Sequence, residues 1–254
     1  MTDVLMHTEG GVTTLTLDRL ASKNALTSTM YATLADALTS AAADPAQRVV
    51  VLQGHASVFT AGNDIGDFLN SPPTEAGSPV HRFLHALATF PKPLVAAVCG
   101  PAVGVGTTML LHCDLVYAGD NAMFALPFVN LGLCPEAASS LLLVKLMGHQ
   151  RAAQALLLGD PFTAEAALEV GLINSVLPPT EVNAYAQRQA QRLAAKPADA
   201  LVQSKRLMKA PVADGIRAIM EDEGEVFKRL LTAPAAKEAF SAFLEKRTPN
   251  FNTL

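Results

Sequence analysis

Residues 93–113, PLVAAVCGPAVGVGTTMLLHC, contain no aspartate, glutamate, lysine or arginine. Backbone so poor in charge belongs in an interior, and the run is long enough to imitate a membrane span. Gly100, Pro101, Gly104 and Gly106 break it where a spanning helix would be continuous. The sequence therefore predicts a buried strand, LVAAV, a glycine-punctuated turn, and an apolar helix starting at about Val105. A second strand, DLVYAG, follows, and then a loop that ends in Glu136, the first glutamate after Glu75. A carboxylate delivered to the edge of a core is a candidate for chemistry.

Elsewhere in the first two-thirds, strands alternate with helices. VTTLTL reads as a strand after Gly10 and Gly11. A helix capped by Thr27 follows, with Met30, Leu34, Leu38 and Ala41 at helical spacing and Leu26 stapled to Tyr31, and Asp44-Pro45 stops it. RVVVLQ fits a buried strand, residues 81–90 a helix, RAAQALLLG a helix stopped by glycine, TAEAALEV a helix capped by Thr163, and LINSVLP a last strand. Residues 180–195, 197–209 and 211–231 read as amphipathic helices. The terminal AKEAFSAFLEKR places Phe240, Phe243 and Leu244 on one apolar stripe, with Lys246 and Arg247 at its C-terminal end. The pattern is an α/β core over residues 1–195 followed by a helical region over 196–254. Residues 69–80, rich in proline, glycine and serine, suggest a flexible surface loop beside a site.

A chain of 254 residues can bury a large core, and its net charge of -4 argues against a nucleic-acid-coating role. Any anionic ligand would need a local basic cluster. Cys99, Cys113 and Cys134 show neither CxxC nor metal-ligand spacing, so buried thiols and no metal site are expected, in a reducing compartment such as the cytoplasm. The first residues carry acids and no apolar signal core. Nothing suggests a membrane. Ala61-Gly62-Asn63-Asp64 is a tight turn whose small residues let backbone approach closely. GVGTTM lacks the third glycine of a dinucleotide fingerprint and the lysine of a phosphate loop. Free amides at a helix N-terminus, with glycine on both sides of Val105, suit a developing oxyanion better.

Taken together, LDRLASKNAL, FTAGNDIGDF, KPLVAAVCGPAVGVGTTMLLHCDLVYAG, FALPFVNLGLCPEAASS, GDPFTAEAALEVGLINSVLP and AFSAFLEKRTPNF resemble the crotonase, or enoyl-CoA hydratase/isomerase, superfamily across nearly the whole chain. The resemblance implies a spiral of ββα units with a helical C-terminal trimerisation region, and hence a homotrimer or a hexamer of paired trimers. It implies a coenzyme A thioester as substrate, with no cofactor. The thioester oxygen would meet the backbone N–H groups of Asn63 and Val105, each worth roughly 3 kcal/mol to an enolate. The backbone of Ala61, Gly62, Asn63, Asp64 and Ile65 would surround the adenine. Phe243 and Lys246 would join it from a neighbouring subunit, with Lys23 and Arg19 near the phosphates. For Arg19 a solvated face is as good an account. Phe124, Leu126, Phe128 and Leu133 would wall the acyl tunnel, although core packing explains each equally well.

The two glutamates of the family's hydratases fall here on Thr108 and Phe128. Neither can move a proton as a carboxylate does, which disfavours ordinary water addition. The segment FVNLGLCPEAASS is instead similar to peroxisomal-type Δ3,Δ2-enoyl-CoA isomerases. There the glutamate at the Glu136 position takes a proton from C2 and returns it to C4, a shift for which one base suffices. By position alone, a glutamate after proline in a helix's first turn is also an ordinary dipole partner. Two further readings stay open: another crotonase reaction using Glu136 and a water, and a non-catalytic acyl-CoA binder. A ClpP-like peptidase would need partners that Ser139 and Ser140 lack.

Overall fold

Gly10 and Gly11 form a two-residue turn between β1 (Val4–Glu9) and β2 (Val12–Leu17), which pair antiparallel. The first of these strands is not among those expected from the sequence. It lies at a sheet edge and buries only Val4, so it lacks the alternation that marks a half-buried strand. The computed structural model describes residues 3–70, 72, 73, 75 and 77–253.

After α1 (Ser28–Ala43), the chain adds β3 (Val49–Gln53), the short α2 (Ile65–Asn70), α3 (Pro79–Thr89) and β4 (Leu94–Val98). Then come β5 (Pro101–Val103), α4 (Val105–Thr108) with a 3-10 turn through His112, β6 (Leu115–Gly119) and β7 (Met123–Ala125). Next are α5 (Ser139–Met147), α6 (His149–Ala153) ending in a π turn, β8 (Phe162–Thr163), α7 (Ala164–Glu169) and β9 (Ser175–Leu177). The chain finishes with α8 (Pro179–Ala194), α9 (Ala198–Lys209), α10 (Ala213–Leu231) and α11 (Pro234–Leu244).

The main sheet runs β1-β2-β3-β4-β6-β9, parallel from β2 onward; β5, β7 and β8 form a smaller sheet. Because side chains alternate across a strand, the continuous apolar runs feed two faces. Val50, Leu52, Leu94 and Ala96 join Leu34, Leu38 and Phe83 in the main core. Val49, Val51, Val95 and Ala97 meet Val182, Ala186, Ala190 and Ala194, an i, i+4 stripe of small residues on α8 that seats it against the sheet. The parallel β-α architecture with a helical C-terminal region has the α/β layout that the sequence pattern predicts.

α9 is fastened by Lys205, whose Nζ donates to Asp114 (2.7 Å) and to the Lys92 carbonyl (2.6 Å). The last two helices turn back over the body. Phe227, Leu231, Ala236 and Phe240 pack with Phe68, Leu126, Phe128, Leu133 and Leu143 in a second core. The terminal apolar stripe is only partly covered. Phe240 is buried, but Phe243 and Leu244 are exposed, and the helix stops before Lys246 and Arg247, because its last turn runs past the core it packs on. The loop expected over 69–80 includes residues 71, 74 and 76, which lie outside the described residues. Around them, α2 extends through Asn70 and α3 starts at Pro79 on a Ser78 cap. Among the described residues, no helix is long and apolar enough to cross a membrane.

Candidate active site

The turn at residues 61–64 is positioned by main-chain bonds on both sides. Leu26 N donates to the Gly62 carbonyl (2.8 Å) and Asp64 N to the Leu26 carbonyl (2.9 Å), the pattern of an isolated parallel bridge. In such a bridge Leu26 bonds the residues flanking Asn63, so the N–H of Asn63 itself faces the other way. Gly62, at φ 89°, lies against the next segment: a Cβ there would stand 2.9 Å from the Val103 carbonyl oxygen. Gly106 similarly abuts Thr60, since its Cβ would fall 2.5 Å from Thr60 Cγ2. Residues 60–63 therefore sit on residues 102–106, and the amides of Asn63 and Val105 belong to two segments in direct contact. Val105 opens α4, where an N–H has no partner within its own helix.

Asp64 accepts from Asp67 N (3.0 Å) and from the Arg19 guanidinium (2.7 Å). The Asp67 amide, followed by Arg19, holds its carboxyl below the ordinary range against the opposing effect of burial. Arg19 also donates to the Ala25 carbonyl, so it braces this turn, a role neither of its sequence readings gave it. Lys23 is exposed, and its carbonyl receives Ala61 N. Ile65 starts α2 and packs against the second core.

Tyr31 links this turn to the candidate base. Its hydroxyl donates to Asn63 Oδ1, its ring lies 5.5 Å from that of Phe83, and its acidity is suppressed by burial and then by the charge of Glu136. The sequence offered Tyr31 only as a staple residue. Glu136 is 7% exposed, and its Oε1 is buried without a hydrogen-bond partner. Burial, with a further contribution from Glu223, pushes its carboxyl up to about 8. The loop behind it is unusual: Ala137 and Ala138 both take left-handed conformations (φ 60° and 56°), which cost about 1 kcal/mol or more each. Two side chains hold that loop. Burial pushes His112 down to about 4, so the ring is neutral, and its Nε2 donates to the Ala137 carbonyl at 2.8 Å. Glu223 of α10 accepts from Ala138 N (2.6 Å), Ser140 N (2.9 Å) and the Ser140 hydroxyl (2.6 Å).

Glu136 and Glu223 line a small cavity of about 50 Å³ between α3, which contributes Val80, His81 and Leu84, and α10, which contributes Met220 and Phe227. None of the four residues offered as acyl-tunnel walls lines it. Phe124 stacks on Phe162 in the smaller sheet, while Leu126, Phe128 and Leu133 stand behind Phe227 in the second core. The walls come from helices remote in sequence, which local pattern does not connect to Glu136. One signal was available for Glu223: it interrupts the apolar stripe Ile216, Met220, Phe227, Leu231 of α10 at a position that must be buried. Thr108 is buried, and its hydroxyl reaches the Val105 carbonyl at 3.5 Å. Phe243 and Lys246 lie on the exposed end of the chain. Among the described residues, no group of three or more His, Cys, Asp or Glu is arranged to hold a metal ion.

The family model of enoyl-CoA hydratase/isomerase matches residues 7–253. The chain is 34% identical over 252 residues to 2,3-dehydroadipyl-CoA hydratase of Escherichia coli (strain K12), covering 99% of each. It is 32% identical over 250 residues to enoyl-CoA delta isomerase 2 of Rattus norvegicus, covering 96% of this chain and 64% of that protein. The structure of Pseudomonas aeruginosa OdaA superposes with a TM-score of 0.94 at 49% identity, covering 96% of this chain and 99% of that one. The chain belongs to the enoyl-CoA hydratase/isomerase, or crotonase, family of acyl-CoA enzymes.

Proposed function

We propose that the protein is a Δ3,Δ2-enoyl-CoA isomerase that needs no cofactor, with Glu136 as its single base. The observation that carries this reading is the state of Glu136: a desolvated carboxyl with a free oxygen, while the two positions used by the family's hydratases hold a threonine engaged with the backbone and a core phenylalanine. In the reaction, the Glu136 carboxylate removes a proton from C2 of a 3-enoyl thioester. The C–H electrons delocalise into a dienolate whose thioester oxygen accepts hydrogen bonds from the amides of Asn63 and Val105. The carboxylic acid so formed returns the same proton to C4, and the double bond settles between C2 and C3. A base near pKa 8 is well matched to this task, because it must both take and return the proton close to neutral pH. The exposed Phe243 and Lys246 remain free to meet the nucleotide of an acyl-CoA, in this reading one bound by a neighbouring subunit of a trimer or hexamer.

One observation favours hydration as a second reading. His81 lines the same cavity, with its Nδ1 2.9 Å from the Glu75 carbonyl and 2.8 Å from the Ser78 hydroxyl. A carbonyl only accepts, so Nδ1 carries a proton and Nε2 is left for a second proton-handling role. Incubation with 3-hexenoyl-CoA separates the readings. Isomerisation gives a 2-enoyl product of unchanged mass and transfers a C2 deuterium in part to C4; hydration adds the mass of water. A wild-type rate no better than that of Glu136→Gln would sink the isomerase reading, and tight binding without turnover would favour a non-catalytic binder.

A further inference from the structure

We propose that Glu223 of α10 is a positioning residue for Glu136: it fixes the Glu136–Ala138 loop and supplies a negative charge that makes the Glu136 carboxylate a stronger base. This inference deepens the isomerase reading and rests on it for its catalytic consequence.

Three facts carry it. First, α5 lacks a capping side chain of its own, because Ala138 occupies its N-cap in a left-handed conformation. Glu223 takes that role from another helix, accepting with Oε2 from Ala138 N and with Oε1 from Ser140 N and its hydroxyl. Burial pushes the Glu223 carboxyl up, and the three donors at the helix N-terminus oppose that by stabilising its charged form. Second, the peptide from Ala137 to Ala138 is pinned at both ends, by His112 on the Ala137 carbonyl and by Glu223 on the Ala138 amide. The left-handed pair is held open by these contacts, and they set the direction in which Glu136 leaves the backbone. Third, Glu136 has no donor of its own on Oε1 and shares its cavity with Glu223. Of two carboxyls lining one cavity, the one with three donors holds a charge more readily than the one whose Oε1 has none.

The other titratable groups around Glu136 do not substitute for Glu223. Tyr31 on α1 is kept protonated by burial and by Glu136, and His112 after α4 is neutral. Cys134 in the same loop is pushed up to about 11 by burial and then Glu223. His81 on α3 lines the cavity with Nδ1 tied to its own loop.

The deciding experiment is an infrared titration of the purified full-length protein. The protonated-carboxyl band of Glu136, assigned by its loss in Glu136→Gln, is followed with pH in wild type and in Glu223→Gln, an isosteric change that removes the charge. The midpoint is expected to fall by about one pH unit in Glu223→Gln. In parallel, kcat for 3-hexenoyl-CoA is expected to fall roughly 10- to 100-fold at nearly constant KM, because the base is misdirected and binding is not. If Glu223→Gln does not fold, Ser140→Ala, which removes one donor to the same carboxylate, should move the midpoint the same way by less. An unmoved midpoint in the folded variant overturns the inference, as does a kcat within twofold of an active wild type. A wild type that turns over no 3-enoyl-CoA defeats the isomerase reading instead, and the midpoint still decides whether Glu223 governs the proton on Glu136.

Discussion

The amides of Asn63 and Val105 and the carboxyl of Glu136 face one proposed reaction, but the chain builds them in different ways. The amides are main-chain groups aimed by a strand bridge, a glycine contact and a helix start, all between residues 26 and 106. Their side chains could vary without removing them. Glu136 is a single side chain whose state depends on its burial and on the distant Glu223. The difference is one of vulnerability. The backbone side is broken by geometry, and the base side by chemistry.

Replacing Glu136 with glutamine should have the largest effect, because it removes the only base and leaves the backbone side intact. A loss in kcat of roughly 10²- to 10⁴-fold is expected, with KM little changed. The same change should stabilise the fold at high pH. The folded carboxyl lies near 8, above its ordinary 4.5, so the folded state binds the extra proton between these values. Wild-type stability is therefore full below about pH 4.5 and declines as pH rises through about 8. Thermal melts at pH 5 and pH 9 check this: Glu136→Gln should match wild type at the lower pH and exceed it at the higher. Wild-type kcat/KM should rise with pH and level off above about 8.

Gly62→Ala tests the backbone side by shape alone. A methyl group 2.9 Å from the Val103 carbonyl, at φ 89°, must push the two donor segments apart. No functional group is lost, yet kcat should fall about 100-fold, and the melting temperature should drop as well. Activity near wild type would mean that the close seating of residues 60–63 on residues 102–106 is not what aims the amides.

These two halves of the site were not equally legible. The backbone half follows from local pattern: AGND, GVGTT and the uncharged run around them mark turns, close approaches and burial within short windows of sequence. The base was legible as a carboxylate at the end of that run, but its setting was not. Tyr31 looks like a staple residue until its hydroxyl is seen on Asn63, and His112 reads as one more residue of an apolar segment. Glu223 lies 87 positions beyond Glu136 on a helix whose packing only the tertiary fold determines. The cavity walls were missed for the same reason, since Leu84 and Phe227 meet only after α3 and α10 have docked. His112→Ala probes one of these hidden supports. It leaves the Ala137 carbonyl buried without its donor, so a stability loss of about 1–3 kcal/mol and a kcat loss of roughly tenfold are expected, read by denaturant melts and steady-state rates.

The smallest effect should come from Val105→Ala, and its smallness is the point. In the proposed reaction Val105 donates through its main-chain N–H, and the left-handed turn before it is taken by Gly104 at φ 56°, so valine itself sits in ordinary helical backbone. Its side chain is buried in the main core. Trimming it to alanine removes apolar contacts but neither the amide nor the conformation that aims it. A destabilisation of about 1–3 kcal/mol is expected, with kcat changed less than about threefold. Should kcat instead collapse while the protein stays folded, the side chain rather than the amide would be the working part at this position. The contrast between a backbone-built half and a side-chain-built half would then fail at its simplest test.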